Sequence, residues 1–141
     1  VDPEAADIVF GSGVDLVMMP LDVTHKALIT GPWLDAVKAV ETSVMQTMAA
    51  WLNFYERFDV EKYGGAGGPL HDPCVIAWLL QPELFSGRRI NVEIETSSAL
   101  TRGMTVADWW GVTDRPANAL FIGDVNASAF FELLKSRIET L

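Results

Sequence analysis

The chain has 141 residues, and 50% of them are apolar, including five Trp and seven Phe. This length and composition suit one domain with a sizeable core and exclude a disordered segment. The formal net charge of −9 argues against nucleic acid as a partner, because phosphate contacts need clustered Lys and Arg. No apolar run approaches the roughly 20 residues that cross a bilayer, so we expect no membrane partner.

The first predicted element is a helix over 2–12. Asp2 suits its N-cap, Pro3 its first position and Glu4 its first turn. The chain has no initiator Met and no signal-like opening. We therefore expect it to be cut from a longer protein. The single Cys74 cannot form an intramolecular disulfide and indicates a reducing, cytoplasmic compartment.

Helices and strands alternate along the rest of the chain. The patterns predict, in order, a strand over 15–21 covered on both faces, a short helix capped by Thr24, a long helix over 33–58, a helix from Asp72 to 80, a half-exposed strand over 89–96, a buried strand over 119–122, and a helix over 127–139 capped by Asn126. This alternation gives an α/β layered fold. Because no repeat or linker divides it, we expect residues 1–141 to form a single domain.

His71-Asp72-Pro73, just after the glycine-rich run at 64–68, is the most informative segment. Pro73 suits the first position of a helix and Asp72 its N-cap. A carboxylate anchored at a helix start, with an imidazole beside it, suits a metal ligand with an acid/base neighbour. The alternative is that this motif is only a helix cap.

A series of segments resembles the inosine-uridine-preferring nucleoside hydrolases. The segments are Asp2-Pro3-Glu4-Ala5-Ala6, Pro20-Leu21-Asp22-Val23-Thr24-His25, Gly68-Pro69-Leu70-His71-Asp72-Pro73, Pro82-Glu83-Leu84, Asn91-Val92-Glu93-Ile94-Glu95 and Leu100-Thr101-Arg102-Gly103. They span essentially the whole chain. The resemblance implies that residues 1–141 are the C-terminal portion of a larger domain, with an open, mostly parallel, Rossmann-like sheet and helices on both faces.

The resemblance also implies a function, which is calcium-dependent hydrolysis of the N-glycosidic bond of ribonucleosides of the inosine/uridine type. The products are ribose and free base, as in purine and pyrimidine salvage. It implies that Asp72 is a calcium ligand and that His71 protonates the departing base. For the aromatic pair that closes over the ribonucleoside substrate, the candidates are Tyr63 with Tyr55 or Phe58. We also expect a homo-oligomer.

The chain departs from the family because one carboxylate cannot build a calcium site, which takes about 6–8 oxygens. It contains no Asp-x-Asp cluster, and the aspartate-rich motif of the family lies near the N-terminus. We therefore expect the other ligands in the missing N-terminal portion of the same domain. The isolated chain should be inactive.

Two other functions stay open. A half-domain with exposed apolar faces would suit a non-catalytic α/β association module. A His-Asp metal phosphohydrolase would need more ligands than the two His of this chain supply.

The remaining polar and aromatic candidates have ordinary structural interpretations. His25 and Asp22 follow a predicted strand, where the ligands of open α/β sheets gather, but we expect a supporting or capping role for both. We expect Trp33 and the Trp109-Trp110 pair to lie in a core or an interface. Glu93 and Glu95 should be solvated.

Overall fold

A computed structural model describes residues 1–63 and 67–141, and the side chains of 1–55 and 67–141. Its elements in chain order are α1 (Pro3–Gly11), β1 (Leu16–Met18), α2 (Leu21–Thr24), α3 (Gly31–Lys38), α4 (Ser43–Tyr63), α5 (Asp72–Leu80), a short 3₁₀ helix (Pro82–Leu84), β2 (Phe85–Ile90), β3 (Val92–Ile94), β4 (Thr105–Ala107), β5 (Ala119–Val125) and α6 (Ala127–Ile138). No described helix is both long and apolar enough to cross a membrane.

The strands form two separate groups. One is a three-stranded sheet in the order β1-β5-β2, in which β1 runs parallel to β5 with Leu16 opposite Ala119. The other is an antiparallel pair of β3 and β4, with Val92 opposite Ala107. The predicted α/β class is confirmed.

The described chain divides into two compact units. The first unit contains 1–18 and 87–123, and the second contains 19–86 and 124–141. Ile90, Val92, Ala119 and Phe121 form the core of the first unit, with Trp109 packed against them. Val23, Ile29, Val37, Met45 and Phe130 are fully buried in the second. The prediction that residues 1–141 belong to one domain stays a prediction.

Both terminal helices begin as their caps predict. The Asp2 carboxylate accepts a hydrogen bond from the Ala5 backbone N–H at 3.0 Å. The Asn126 amide oxygen accepts one from the Ala129 N–H at 3.2 Å. Short polar side chains at these positions satisfy N–H groups that have no partner within the helix, so the sequence locates both helix starts.

The predicted long helix over 33–58 is wrong, because the chain breaks between α3 and α4. The Gln46 side-chain amide donates to the carbonyls of Lys38 and Val40, at 2.9 and 2.8 Å. The Thr42 hydroxyl accepts from an N–H in the first turn of α4 at 3.3 Å. Side chains thus pair backbone groups near the break, which a continuous apolar periodicity hides.

The predicted strand over 89–96 is also wrong, because buried Asn91 divides it into β2 and β3. The Asn91 side chain donates to the Pro116 carbonyl at 3.1 Å. The Val92 N–H donates to the side-chain oxygen of Asn118 at 2.8 Å. These amide contacts provide the hydrogen bonds that a neighbouring strand would otherwise provide.

The segment from β1 to α2 also differs from its prediction. β1 covers only Leu16–Met18, and Val17 within it is exposed. Thr24 is the last residue of α2 and does not cap it, since Pro20 occupies the N-cap position. β1 lies at the edge of its sheet in the described chain, and the face that carries Val17 is uncovered there.

The sequence predicted that Glu95 would simply be solvated, but its carboxylate has hydrogen-bond partners within the chain. Its carboxylate accepts hydrogen bonds from the N–H groups of Ser98 and Ser97 and from the Ser97 hydroxyl. These hydrogen bonds, first the one from the Ser98 N–H, lower the pKa of Glu95. Glu95 therefore holds the turn that follows β3.

Candidate functional site

A short backbone bridge in the second unit brings the end of α2 close to the start of α5. Leu28 and Pro69 form an isolated antiparallel bridge. The Ile29 N–H donates to the Gly68 carbonyl, and the Leu70 N–H donates to the Ala27 carbonyl, both at 2.9 Å. Because the two segments are antiparallel, this pairing places the residues just before Leu28 near those just after Pro69.

Gly67 is required at this bridge for steric reasons. Its φ is +138°, and a Cβ atom there would lie 1.8 Å from the Ile29 carbonyl oxygen. Only glycine allows both this backbone conformation and this approach. Residues 64–66 of the glycine-rich run lie outside the described residues.

The imidazole of His71 is held by a buried hydroxyl. Its Nδ1 shares a hydrogen bond of 2.7 Å with the Oγ1 of Thr24, which is 2% exposed. The ring of His25 lies beside it, with the centroids 5.4 Å apart and the planes tilted by 43°. Since Nδ1 is engaged, Nε2 is the nitrogen available to a ligand.

Asp72 is not the helix cap that the sequence predicted. It is the first residue of α5, the N-cap position belongs to His71, and no side-chain capping hydrogen bond forms there. The carboxylate is exposed, and its negative charge is favourable at the positive end of the helix dipole. An exposed carboxylate without a capping bond remains able to bind a cation.

The described residues do not build a calcium site by themselves. Within 1–55 and 67–141, no cluster of three or more His, Cys, Asp or Glu side chains is arranged to hold a metal ion. Calcium needs about 6–8 oxygens, of which Asp72 would supply one or two. The donor set described here does not fit a complete calcium site.

The proposed aromatic pair is only partly described. Tyr55 lies on α4 and is exposed. The side chains of Tyr63 and Phe58 lie outside the described residues. The structure therefore brings together Thr24, His25, His71 and Asp72, and it leaves the substrate-closing role of the tyrosines a prediction.

The tryptophans fall into different environments. Trp33 is buried, and its indole N–H donates to the Phe131 carbonyl at 3.1 Å. Trp109 packs edge-on against Phe121 in the first unit, with ring centroids 5.8 Å apart. Trp110 is exposed. The core interpretation therefore holds for Trp33 and Trp109.

Thr24 is the functional candidate that sequence reasoning missed, because its apparent role was to cap a helix. It is separated from His71 by 47 positions, and no local pattern reports such a distance. The available signal was its place beside His25, after a predicted strand of an α/β sheet.

Comparison of the chain with known proteins identifies a family to which it is similar. A model of the family described as inosine-uridine preferring nucleoside hydrolase matches residues 1–132. An uncharacterized protein of Schizosaccharomyces pombe is 45% identical over 141 residues, which are 100% of this chain and 46% of that protein. The pyrimidine-specific ribonucleoside hydrolase RihA of Shewanella woodyi is 44% identical over 141 residues, which are 99% of this chain and 45% of that protein. The chain spans about half the length of the curated relatives it matches.

Solved structures show the same similarity. A purine-preferring ribonucleoside hydrolase from Gardnerella vaginalis is similar with a TM-score of 0.86 and 28% identity, over 99% of this chain and 44% of that one. A plant nucleoside hydrolase has a TM-score of 0.85 at 24% identity, over 99% of this chain and 46% of that one, and supports the fold alone. The family model covers most of the chain and is supported by these relatives, so the chain belongs to the inosine-uridine preferring nucleoside hydrolase family.

Proposed function

We propose that the protein to which this chain belongs hydrolyses the N-glycosidic bond of ribonucleosides, giving ribose and free base. The observation that carries the proposal is the His71 imidazole. It is held through Nδ1 by buried Thr24, and it lies next to the exposed carboxylate of Asp72. Family membership adds support, because the family model extends over residues 1–132 and includes this segment.

The reaction defines what His71 would do. Cleavage passes through a ribosyl cation-like state, so the departing base gains electron density and leaves more easily when it is protonated. Nε2 of His71 is the nitrogen that Thr24 leaves available, and a histidine can donate a proton near neutral pH. His71 therefore protonates the departing base as the N-glycosidic bond breaks, while water forms the new C–O bond to the sugar and gives up one proton, which balances the proton that His71 donates.

Asp72 would supply part of a calcium site. When bound, calcium makes a coordinated water more acidic. Asp72 is one oxygen donor, and the other ligands would come from the N-terminal portion of the same domain. For that reason the isolated chain should be inactive. We also expect the full-length enzyme to be a cytoplasmic homo-oligomer. Tyr55 and Tyr63 would close over the substrate.

The names of the relatives support pyrimidine nucleosides as the proposed substrates of this enzyme. The Shewanella woodyi protein at 44% identity is named a pyrimidine-specific ribonucleoside hydrolase, whereas the Gardnerella vaginalis protein at 28% identity is named purine-preferring. We infer a preference for uridine over inosine. Ribose release from both nucleosides by the full-length enzyme measures it, and faster release from inosine would overturn this choice.

Two substitutions in the full-length protein test the site. His71→Ala should lower kcat by about 10²–10⁴-fold, as loss of a general acid does, with the larger loss for purine nucleosides. Asp72→Ala should abolish calcium binding in isothermal titration calorimetry. Asp35→Asn, which changes an exposed carboxylate on α3, is the matched control for Asp72. Wild-type activity and calcium affinity in both variants would refute the site.

The apolar surface of α5 favours association as a second candidate function. Val75, Ile76, Leu79 and Leu80 are all exposed in the described chain, and contiguous apolar surface of this kind promotes association. Sedimentation velocity of the chain, before and after Ile76→Lys, separates the two functions. If the chain associates and the full-length protein releases ribose, the enzyme function is retained. If the chain associates and the full-length protein releases no ribose, the non-catalytic association module is favoured.

A further inference from the structure

We propose that Thr24 is a positioning residue for His71, whose hydroxyl holds the imidazole through Nδ1 so that Nε2 is presented to the nucleoside. The inference rests on the proposed function, and it goes further by assigning a role to a residue that does not itself touch the substrate. It is carried by the hydrogen bond of 2.7 Å between Thr24 Oγ1 and His71 Nδ1.

Burial gives this hydrogen bond its importance. Thr24 is 2% exposed, and a buried hydroxyl without a partner is destabilising. A threonine on a helix often bonds the carbonyl four residues earlier, which for Thr24 is Pro20. Both lone pairs of that carbonyl are already used, because it accepts the backbone N–H groups of Val23 and Thr24, each at 3.1 Å, and the described bond of the hydroxyl is the one to His71.

The position of the hydroxyl is itself well fixed. Val23 is fully buried beside Thr24 in α2, and the Lys26 and Ala27 N–H groups donate to the carbonyls of Val23 and Thr24, at 2.9 and 3.0 Å. The backbone bridge of Leu28 with Pro69 then sets the separation from the His71 segment. A catalytic group is most precise when its supporting residues are locked by packing in this way.

The chemistry of a hydroxyl suits this role. The two ring nitrogens of an imidazole are fixed relative to each other, so a hydrogen bond at Nδ1 also directs Nε2. The neighbouring His25 ring lies with its centroid 5.4 Å from that of the His71 ring. A hydroxyl both donates and accepts, so it remains bonded to Nδ1 in either tautomer of His71.

The test compares Thr24→Val with Thr24→Ser in the full-length enzyme. Valine keeps the shape and removes the hydroxyl, so kcat should fall by about 10–100-fold through loss of orientation while KM changes little. Serine restores the hydroxyl and should recover most of the loss. Thr47→Val on α4 removes an exposed hydroxyl that bonds the Ser43 carbonyl, and it is the matched control with wild-type kcat. Equal losses in the valine and serine variants would overturn the inference.

A spectroscopic measurement tests the bond without activity. In ¹⁵N spectra of the wild-type side chains at fixed pH, the Nδ1 resonance of His71 should lie where a hydrogen-bonded imidazole nitrogen resonates, and Thr24→Val should shift it. A wild-type Nδ1 resonance at the position of an imidazole nitrogen without a hydrogen bond would refute the bond, even if the valine variant failed to fold.

A double substitution separates this inference from the proposed function. With His71→Ala already present, Thr24→Val should lower kcat no further, because both changes remove one interaction. An additive loss would overturn the positioning role. Wild-type activity of His71→Ala alone would instead refute the acid role of His71, while the ¹⁵N spectrum would still decide whether Thr24 holds the ring.

Discussion

At the residue scale, Cys74 shows how burial determines the chemistry of a side chain. Its side chain is fully buried, its thiol donates to the Leu70 carbonyl at 3.0 Å, and burial raises its pKa to about 11. A thiol that stays protonated is a poor nucleophile. The structure therefore supports the interpretation of Cys74 as a small core residue.

The raised pKa predicts a loss of stability at alkaline pH. The ordinary pKa of a thiol is about 8.5, so between that pH and about 11 the unfolded state loses the Cys74 proton while the folded state keeps it. The unfolded state then binds fewer protons, and the free energy of unfolding falls as pH rises. Urea denaturation of the full-length protein at pH 8 and pH 10.5, beside Cys74→Ala, measures this.

The contribution of Cys74 is the difference between the two proteins. Wild type should lose about 2 kcal/mol more than Cys74→Ala over this range, from the value of about 1.4 kcal/mol per pKa unit. Parallel pH profiles of the two proteins would contradict the raised pKa.

The sequence alone predicts hydrogen bonds between residues close in the chain and misses those between distant residues. The caps Asp2 and Asn126 were predictable because each acts on N–H groups within four residues of itself. The Thr24–His71 hydrogen bond was not, since it joins residues 47 positions apart. The resemblance selected His71 and Asp72 as a pair to examine, and the hydroxyl that bonds His71 became visible only in the structure.

At the element scale, two breaks escaped prediction for one physical reason. Gln46 accounts for the break between α3 and α4, and the Asn91 and Asn118 side chains account for the one between β2 and β3. In each case an amide side chain bonds backbone groups that a regular element would pair. Apolar periodicity reports which face is buried and is insensitive to such bonds.

The bridge between the α2 and α5 segments predicts a strong effect of Gly67→Ala. The new Cβ would approach the Ile29 carbonyl oxygen to 1.8 Å at a φ of +138°, so the bridge must separate. We expect a loss of about 2–4 kcal/mol in the free energy of unfolding, together with reduced kcat because His71 follows the bridge.

Gly31→Ala is the matched control for this substitution. A Cβ at Gly31 meets no atom within 4 Å, and this residue starts α3. Alanine there should leave stability unchanged or raise it by up to about 1 kcal/mol. Thermal unfolding of the two full-length variants makes the comparison, and equal midpoints would show that the approach of Gly67 to Ile29 is not restrictive.

At the scale of the whole molecule, the chain spans about half the length of the curated relatives it matches. The exposed apolar residues on α5 and the exposed carboxylate of Asp72 have the same explanation in the proposed function. Under that proposal, both would be completed by residues of the longer protein, since the curated relatives are about twice as long as this chain. This is why the fold class was predictable from 141 residues, while the metal site could only be inferred.

The isolated chain should therefore release no ribose from inosine or uridine with millimolar calcium present, whereas the full-length protein should release it. Circular dichroism, which should show the helices of α3 to α6, distinguishes an inactive folded chain from an unfolded one. Adding the N-terminal portion as a separate polypeptide should restore activity, because under the proposed function it would supply the other carboxylates of the calcium site. Release by the isolated chain that stops on chelation would mean that these 141 residues hold calcium by themselves, and the account of a divided site would be wrong.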